Sequence, residues 1–355
     1  MSSGKGEPSG EGPVRIAVVG AGVFGRNHLR VYRELERAGF PVELAAVVDP
    51  NPTAREWAAK EYGIPAFGSV AECMQDARTN LRRIHAASVC VPTVEHAATA
   101  RTLMACGTDL LIEKPLAGSL AEADEIVHAA REQGRIVQVG HLERFNPAVH
   151  AVLPLLNQPM FFEVHRLSVF TPRSLDVDVV LDLMIHDLDI VLTLVGAPVR
   201  EVRAVGLPVL SKKVDIANVR LEFENGCVAN FTASRVSTER VRKMRFFQPH
   251  QYLSLDFARQ DLLMIDVTAA AGLDLAQLAA MAGTGGHPSA GMSLRKVPVE
   301  PGEPLRIEIE SFLKAVRERK KPEVTVEEGR AALALALEIN AAVESHARRT
   351  GLISR

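Results

Sequence analysis

The chain has 355 residues, of which 47% are hydrophobic and 24% are charged, so it can bury a large core and its length predicts two domains. A formal net charge of -2 and a pI near 6.6 leave no basic surplus for nucleic acid or an acidic membrane surface. No apolar run is long enough to cross a bilayer, so we expect no membrane partner.

The N-terminal segment and the cysteines predict the cellular compartment. Residues 1–13 are rich in Gly, Ser, Pro and Glu and have no apolar segment typical of an export signal, which predicts a disordered tail. The four cysteines lack C-x-x-C spacing and lie in apolar surroundings, which indicates reduced thiols in a cytoplasmic protein. We expect no metal site. The cysteines are Cys73, Cys90, Cys106 and Cys227.

A dinucleotide-binding pattern begins directly after the tail. Residues 14–19 form an apolar run that predicts a buried strand, and residues 20–25 follow it as a glycine-rich turn that opens a helical pattern. A second apolar run, residues 44–48, ends on Asp49. Strand, glycine turn, helix, strand and terminal acid form the fingerprint of a dinucleotide site in its required context. The predicted cofactor contacts in the turn are Gly20, Gly22, Val23, Phe24 and Gly25.

Each residue type in this pattern has a physical role. Gly20 permits the tight turn, Gly22 lets the pyrophosphate approach the backbone, and Gly25 lets the helix pack closely on the strand. The helix N-terminus offers unpaired N–H groups to the anion. Asp49 can accept hydrogen bonds from the adenosine ribose and would repel a 2′-phosphate, which favours NAD over NADP. The nearby Arg55 is the feature that favours NADP instead.

Further apolar runs complete a predicted NAD-binding domain over residues 14–142. Glu113, Lys114 and Pro115 follow one of these strands at its carboxyl end, where doubly wound parallel sheets bind their ligands. Thr53 is the expected N-cap of the second helix, and Ser69 that of the third. The remaining predicted elements are helices at 53–62 and 122–133 and strands at 86–91, 109–112 and 136–140.

From residue 143 to the end, the pattern changes to long alternating strands with Asn225-Gly226 as a hairpin signal. This predicts an α+β domain for substrate binding and oligomerisation, built on a large, mostly antiparallel open sheet. The helix near 178–195 would cover one face, and the other face would need a partner. Residues 269–291 are rich in Ala and Gly and predict an inserted flap. Residues 303–320 and 326–348 predict two amphipathic helices.

Three side chains carry the expected chemistry. Lys114 lies at a strand end. Asp182 and His186 are spaced i and i+4, and Asp189 follows at i+7, so these two acids and the histidine would share one helix face. A histidine oriented by a carboxylate can accept a proton from a hydroxyl near neutral pH. The alternatives are a surface lysine for Lys114 and, for the helix, a polar face whose hydrogen bonds are satisfied within the protein.

These motifs, together with Val91-Pro92 and His96, resemble the glucose-fructose oxidoreductase and inositol dehydrogenase (Gfo/Idh/MocA) family over nearly the whole chain after the tail. The resemblance implies that Lys114 and His186 face the substrate beside nicotinamide and that Asp182 orients His186 or binds substrate. It also implies that the cofactor site includes Pro92, His96, Glu113 and Lys114. It also implies a homodimer or homotetramer formed through the open sheet face. One departure is Asp178-Val179, where many members have two glycines.

Two segments are similar to one group within the family, the UDP-N-acetylglucosamine 3-dehydrogenases of lipid A biosynthesis. They are residues 140–148 and 234–249. The similarity implies that Arg144, Asn146 and Arg235 bind a nucleotide sugar, since arginine is suited to bidentate phosphate contact. Arg240 and Arg242 are further candidates for a diphosphate.

The sequence thus predicts an NAD-dependent oxidoreductase that oxidises a secondary hydroxyl of a sugar, in particular C3 of the GlcNAc unit of UDP-GlcNAc. One alternative keeps the chemistry with an inositol, a free sugar or another polyol as substrate. A second alternative, from another class, is a non-catalytic NAD-binding sensor or scaffold.

Overall fold

The computed structural model describes residues 12–76, 84–171, 177–267, 277 and 293–351. Contacts divide the chain into two compact units, one of Met1–Leu142 with Glu303–Leu333 and one of Glu143–Gly302 with Ala334–Arg355. This division differs from the predicted one, because residues 303–333 belong to the first unit. Residues 1–11 of the predicted tail, and the predicted flap apart from residue 277, lie outside the described residues.

The first unit contains a parallel sheet of six described strands in the order β3-β2-β1-β4-β5-β6. This is the strand order of the dinucleotide-binding Rossmann fold, as predicted. Its elements are β1 (Val14–Val19), α1 (Val23–Arg37), β2 (Val42–Val48), α2 (Pro52–Tyr62), β3 (Ala66–Phe67), α3 (Val70–Gln75), β4 (Ala86–Val89), α4 (His96–Ala105), β5 (Asp109–Glu113), α5 (Leu120–Glu132), β6 (Val137–Gly140) and, after the second unit's main segment, α8 (Pro304–Glu318).

Local sequence explains where the first helices begin. The prediction of Thr53 as the N-cap of α2 was wrong: the Asn51 side chain accepts the Thr53 N–H at 3.0 Å, and Pro52 occupies the first helical position. The prediction for α3 is confirmed, because Ser69 Oγ accepts the Glu72 N–H at 3.2 Å. Both caps satisfy N–H groups that have no partner within the helix.

The core of the first unit explains why α8 belongs to it. Ile309, Phe312 and Leu313 are fully buried in the same apolar cluster as Ile16 of β1 and Leu29 of α1. The sequence pattern identified α8 as an amphipathic helix, but a pattern alone does not say which sheet receives the apolar face.

The second unit contains a sheet of eight described strands, ordered β14-β13-β12-β11-β7-β10-β9-β8. Only the β7–β10 pair among them is parallel, so the prediction of a mostly antiparallel sheet is confirmed. Its elements are α6 (Pro147–Val152), β7 (Phe161–Val169), a π-helical turn (Val180–Met184), α7 (Ile185–Val195), β8 (Val199–Leu207), β9 (Ile216–Phe223), β10 (Val228–Ser237), β11 (Val241–Gln248), β12 (Gln251–Asp256), β13 (Asp261–Asp266) and β14 (Ser293–Val297); α9 (Val326–Arg349) contributes its residues from 334 onward.

The two faces of this sheet differ in burial. In β11, Met244 and Phe246 are fully buried, whereas Phe247 between Phe246 and Gln248 is 42% exposed. This period of two places one apolar set in the core and a second set on the opposite face. No helix in the described parts of the chain combines the length and apolarity that a membrane span requires.

Candidate active site

The glycine turn between β1 and α1 is closely packed at two of its three glycines. Gly20 has φ +97°, and a Cβ there would lie 2.5 Å from the carbonyl oxygen of Cys90. A Cβ on Gly25 would lie 1.8 Å from the carbonyl oxygen of Gly20. A Cβ on Gly22 would meet nothing within 4 Å. Gly20 and Gly25 are therefore required by the turn itself, whereas Gly22 keeps space open in front of it.

The open space at Gly22 suits the pyrophosphate of a dinucleotide. It lies at the N-terminus of α1, a helix of 15 residues whose first N–H groups have no intrahelical acceptor. Gly22 is the N-cap of α1 and has no side chain that could accept hydrogen bonds from these N–H groups. Val23 and Phe24 beside it are 73% and 38% exposed, and a ligand bound at this helix N-terminus would cover them.

Asp49 holds the glycine turn against the end of β2. Its Oδ2 accepts the N–H of Ala21 at 2.6 Å, and its Oδ1 accepts the N–H of Asn51 at 2.8 Å. Arg55 donates to the carbonyl oxygens of Asp49 at 3.3 Å and Pro50 at 2.8 Å. The carboxylate oxygens keep further lone pairs for ribose hydroxyls, and the guanidinium is engaged by backbone, an arrangement that fits NAD.

The motif with Lys114 follows β5 directly. The Lys114–Pro115 peptide bond is cis. The buried His96 ring lies between two carbonyl oxygens, with Nδ1 3.0 Å from that of Pro115 and Nε2 3.0 Å from that of Val91. Burial lowers the pKa of His96, although hydrogen bonds to the two carbonyls act in the opposite direction. His96 thus connects the ends of β4 and β5.

A buried hydrogen-bond network lies beneath this edge of the sheet. His28 Nε2 is 2.9 Å from Glu113 Oε1, and His28 Nδ1 is 3.1 Å from Ser88 Oγ. Ser88 Oγ is also 2.8 Å from the Tyr32 hydroxyl. Cys90 Sγ belongs to the same region, and His28, Cys90 and Glu113 are the one group among the described residues that could hold a metal ion. The hydrogen bonds of His28 account for its approach to Glu113 without an ion.

Glu308 is a buried acid that the sequence analysis did not single out. It is fully buried on α8, and neither carboxyl oxygen has a hydrogen-bond partner among the described residues. Gln138 Nε2 donates to its backbone carbonyl oxygen at 3.1 Å. Burial, followed by the charge of Glu113, raises the pKa of Glu308 well above its ordinary value. Burial thus disfavours the ionised form of this carboxyl.

A π-helical turn precedes the helix that carries His186. Asp178 Oδ1 accepts the N–H groups of Val180 and Leu181, each at 2.9 Å, so this aspartate caps the turn where the family resemblance led us to expect glycine. Asp182 and His186 are half-buried, whereas Asp189 is buried. His186 and Asp189 both lie within α7 at spacing i and i+3, whereas Asp182 lies in the π turn before it, so the shared face of all three stays a prediction.

Two buried arginines hold the acids that follow His186. Arg144 makes a bidentate pair with Asp189, at 2.9 Å from Nε to Oδ2 and 2.6 Å from Nη2 to Oδ1. Arg166 makes a second bidentate pair with Asp187, both contacts at 2.7 Å. Arg166 Nη1 also donates to Glu143 at 2.9 Å. These pairs connect α7 to the segment that begins the second unit and to β7.

The pKa directions follow from burial and from these pairs. Burial acts to raise the pKa of Glu143, but the charge and hydrogen bond of Arg166 outweigh it, so this pKa is lowered. Burial raises the pKa of Asp187 despite the opposing effect of Arg166. The pKa of Arg166 is raised, because attraction by Asp187 and Glu143 outweighs its burial.

The remaining predicted substrate residues also have internal contacts. Asn146 Nδ2 donates to Glu143 at 3.1 Å and to the carbonyl oxygen of Phe257 at 3.0 Å. Arg235 is buried, with Nε 3.2 Å from Asp215 Oδ1 and Nη2 3.1 Å from the carbonyl oxygen of Val214. A diphosphate contact by Arg144 or Arg235 would have to compete with these ion pairs, so their substrate role stays a prediction.

Comparison with protein-family models matches two regions of the chain. Residues 14–141 match the N-terminal model of the oxidoreductase family with an NAD-binding Rossmann fold, and residues 158–248 match the GFO/IDH/MocA C-terminal domain. The chain belongs to the GFO/IDH/MocA oxidoreductase family. Its first unit is accordingly the NAD-binding domain of an oxidoreductase.

One protein is similar to this chain in sequence over almost its full length, and a second shares its fold. UDP-N-acetylglucosamine 3-dehydrogenase of Acidithiobacillus ferrooxidans is 35% identical over 338 residues, which are 95% of this chain and 99% of that protein. Its solved structure has a TM-score of 0.80, covering 93% of this chain and 98% of that chain at 34% identity. A levoglucosan dehydrogenase in complex with NADH and levoglucosan has a TM-score of 0.78, covering 94% and 98% at 17% identity, and shows the shared fold.

A third relative acts on a different class of compound. The scyllo-inositol 2-dehydrogenase (NAD(+)) of Bacillus subtilis is 28% identical over 243 residues, which cover 64% of this chain and 69% of that protein. The family thus includes dehydrogenases of several polyhydroxy compounds.

The residues that sequence reasoning missed share a property. His28, Ser88, Arg166, Asp187 and Glu308 are polar side chains buried in element interiors. Each has an apolar residue next to it in sequence, and a polar residue at a core position was the one available signal. Their partners lie far away in sequence, so no local spacing identifies them.

Proposed function

We propose that this protein oxidises the C3 hydroxyl of the GlcNAc unit of UDP-GlcNAc with NAD as oxidant. The observation that carries the proposal is the 35% identity to a UDP-N-acetylglucosamine 3-dehydrogenase across nearly the full length of both chains. The presence of Lys114, Asp182 and His186 supports catalysis over a sensor or scaffold, because binding NAD alone needs none of them.

The proposed roles follow from side-chain chemistry. NAD, when bound, supplies the hydride acceptor. His186 takes the proton of the substrate hydroxyl, Asp182 orients the imidazole or binds the sugar, and Lys114 polarises the same oxygen. Gly22 and the α1 N-terminus hold the pyrophosphate, and Asp49 holds the adenosine ribose.

Arg242 is a further candidate for the diphosphate of the substrate. Its side chain is 52% exposed, and its Nη1 is 3.7 Å from Glu143. It is therefore freer to contact a new anion than the buried Arg144 and Arg235.

The test is the reaction itself. Purified protein is mixed with NAD and UDP-GlcNAc, NADH is followed by absorbance, and the product is analysed by mass spectrometry for the loss of two hydrogens. An aminotransferase that consumes the 3-keto product can pull an unfavourable equilibrium. Substrate-dependent NADH together with the lighter product supports the proposal, whereas NAD binding without either product, even with coupling, contradicts it.

UDP separates the nucleotide sugar from the alternative substrates. If the enzyme recognises the UDP part of its substrate, UDP alone competes with it. An inositol or free sugar as substrate predicts turnover with a polyol and no competition by UDP. If the protein binds NAD tightly but turns over none of these substrates, the sensor is favoured.

We also propose that two or more copies pair through the outer face of the eight-stranded sheet. A continuous apolar row crosses six strands there, with neighbouring members in direct register. Phe161 and Phe247 have ring centroids 5.8 Å apart, and Phe247 and Tyr252 5.0 Å apart. A second copy would bury this row. The row consists of Leu294, Ile265, Tyr252, Phe247, Phe161 and Val228.

Sedimentation velocity tests this pairing. The wild-type protein is expected to sediment as a dimer or tetramer, and Phe247→Arg as a smaller species with unchanged circular dichroism. Arg220→Gln, on the same sheet face but outside the row, is the control. A wild-type monomer, or an unchanged Phe247→Arg oligomer, contradicts pairing through this row.

The similarity to the UDP-GlcNAc 3-dehydrogenases extends the proposal to lipid A biosynthesis in the cytoplasm. Cys106, an exposed thiol, is compatible with a reducing compartment.

A further inference from the structure

Arg26 is a charged residue next to the glycine turn for which the proposed mechanism has no role. It follows Gly22, the N-cap of α1, by four residues, and its side chain is exposed. The first turn of α1 contains no acid, and Arg26 forms no ion pair with any residue that the structure describes. A cation near a helix N-terminus is unfavourable, because that end already carries partial positive charge. The position therefore suits Arg26 when an anion is bound beside it.

Two contacts hold the guanidinium of Arg26 in place. Its Cζ lies over the ring of Trp57, 4.1 Å from the ring centroid, which is a cation–π contact with a residue of α2. Its Nε donates to the carbonyl oxygen of Ala21 at 3.4 Å. The Trp57 ring is itself packed edge to face against Tyr62, with centroids 5.9 Å apart. The guanidinium is thus positioned by a fixed ring, while its two Nη groups have no acceptor in the described parts of the chain.

These contacts place Arg26 on the side of the glycine turn where Asp49 lies. Ala21 donates its N–H to Asp49 Oδ2 at 2.6 Å, so Asp49 and Arg26 bind the two backbone polar groups of a single residue. Trp57 belongs to α2, the helix that begins shortly after Asp49. Asp49 marks the side proposed for the adenosine ribose, whereas the pyrophosphate is proposed to bind at Gly22. An anion that reaches Arg26 is therefore expected on the ribose.

We propose that Arg26 forms a subsite for the 2′-phosphate of NADP, so that the choice between NAD and NADP is a balance between the charges of Arg26 and Asp49. The proposal rests on Asp49 holding the adenosine ribose, as in the proposed function. An arginine can donate two parallel hydrogen bonds to a phosphate, whereas a carboxylate at the ribose repels it. Arg55, the arginine that the sequence pointed to, donates instead to the backbone carbonyl oxygens of Asp49 and Pro50.

Two nucleotides separate a 2′-phosphate from the pyrophosphate. Adenosine 2′,5′-bisphosphate has a phosphate on the ribose 2′ oxygen and no pyrophosphate, whereas ADP has a 5′-diphosphate and no 2′-phosphate. Isothermal titration calorimetry measures the binding of each to the full chain. Asp49→Asn removes the repelling charge and keeps an oxygen for the Ala21 N–H. We expect this variant to bind the bisphosphate at least about tenfold more tightly than wild type does.

Arg26→Gln, added to Asp49→Asn, should remove this gain. We expect the affinity for the bisphosphate to fall about tenfold to a hundredfold, and the affinity for ADP to change less than about threefold. Arg26→Lys keeps the charge but not the planar fork, so it should retain part of the affinity. Arg37→Gln, which changes an exposed arginine at the other end of α1, is the matched control and should alter neither affinity. NADP should follow the bisphosphate, and NAD should follow ADP.

The outcomes separate this inference from the proposed function. If Arg26→Gln weakens ADP and the bisphosphate equally, Arg26 binds the 5′-phosphates and the inference is overturned. An unchanged affinity for the bisphosphate overturns it as well, and in both cases the oxidation of UDP-GlcNAc is unaffected. If Asp49→Asn changes the affinity for neither NAD nor NADP, the proposed role of Asp49 fails and this inference fails with it. The same loss of bisphosphate affinity, from a lower starting value, is expected when Arg26→Gln is made alone, so the test does not depend on the turn tolerating Asp49→Asn.

Discussion

The N–H of Ala21 donates to Asp49 Oδ2 at 2.6 Å, so the acid at the end of β2 holds the glycine turn at the end of β1. The same carboxylate is the expected acceptor of the ribose hydroxyls. We therefore expect Asp49→Ala to weaken NAD binding about tenfold to a hundredfold. The substitution removes the charge-assisted hydrogen bond to the glycine turn and the expected one to the ribose. Isothermal titration calorimetry measures the affinity, and thermal unfolding measures the cost to the turn. An unchanged affinity for NAD would exclude Asp49 from the cofactor site.

The glycines of the turn predict two different phenotypes. Gly22→Ala should fold with normal stability, because its Cβ meets nothing within 4 Å, yet it should lose most NAD affinity by obstructing the pyrophosphate. Gly25→Ala should lose at least ~2 kcal/mol of stability, because its Cβ would lie 1.8 Å from the carbonyl oxygen of Gly20. Urea unfolding and NAD titration on both variants check this contrast. Equal stability of the two variants would disprove the packing argument.

Lys114→Met should separate binding from catalysis. We expect NAD affinity within about threefold of wild type and a fall in turnover of at least ~100-fold, because the positive charge that polarises the substrate oxygen is gone. Steady-state kinetics with UDP-GlcNAc, the proposed substrate, measures turnover. Lys320→Met, an exposed lysine in the same unit, is the control. Normal turnover of Lys114→Met would remove Lys114 from the mechanism.

Asp215 predicts a loss of stability at low pH. Burial acts to raise its pKa, but hydrogen bonds from Ser211, Val209 and Leu210 outweigh this and lower the pKa from 3.8 to about 2. Because the folded-state pKa is the lower one, this stabilisation is present above about pH 4 and is lost as pH falls towards 2. Asp215→Asn should be destabilised at pH 7, and its deficit relative to wild type should shrink by pH 2.5.

Urea unfolding of wild type and Asp215→Asn at both pH values measures that deficit. Asp261→Asn, at an exposed ion pair on β13, is the control and should show a small effect at either pH. A deficit that does not change with pH would contradict the assignment of the low pKa to Asp215.

Glu308 predicts the opposite dependence. Its pKa is raised on folding, so the folded state binds more protons than the unfolded state above pH 4.5, and its contribution to stability falls as pH rises. Glu308→Gln keeps the shape of the neutral acid and removes this dependence. The variant should therefore gain stability relative to wild type between pH 5 and pH 9, measured by urea unfolding. Glu310→Gln on the same helix should show no such gain.

The sequence by itself determined the dinucleotide-binding unit, and it predicted the residues that are proposed for catalysis. The order of strand, glycine turn, helix and terminal acid lies within 36 residues, from Val14 to Asp49, and each part depends on local backbone requirements. Alternation likewise identified the antiparallel sheet. Both are short-range signals, since periods of 2 and 3.6 residues follow from backbone geometry.

Tertiary structure alone decided which buried charges meet. Arg144 and Asp189 are 45 residues apart, and Arg166 and Asp187 are 21 apart. In sequence, Arg144 is a plausible phosphate ligand, and in the fold it is the partner of Asp189. Which sheet received α8 was likewise settled by packing. The physical reason is that a charge in the core is stable only beside its counterion, and chain folding alone brings the two together.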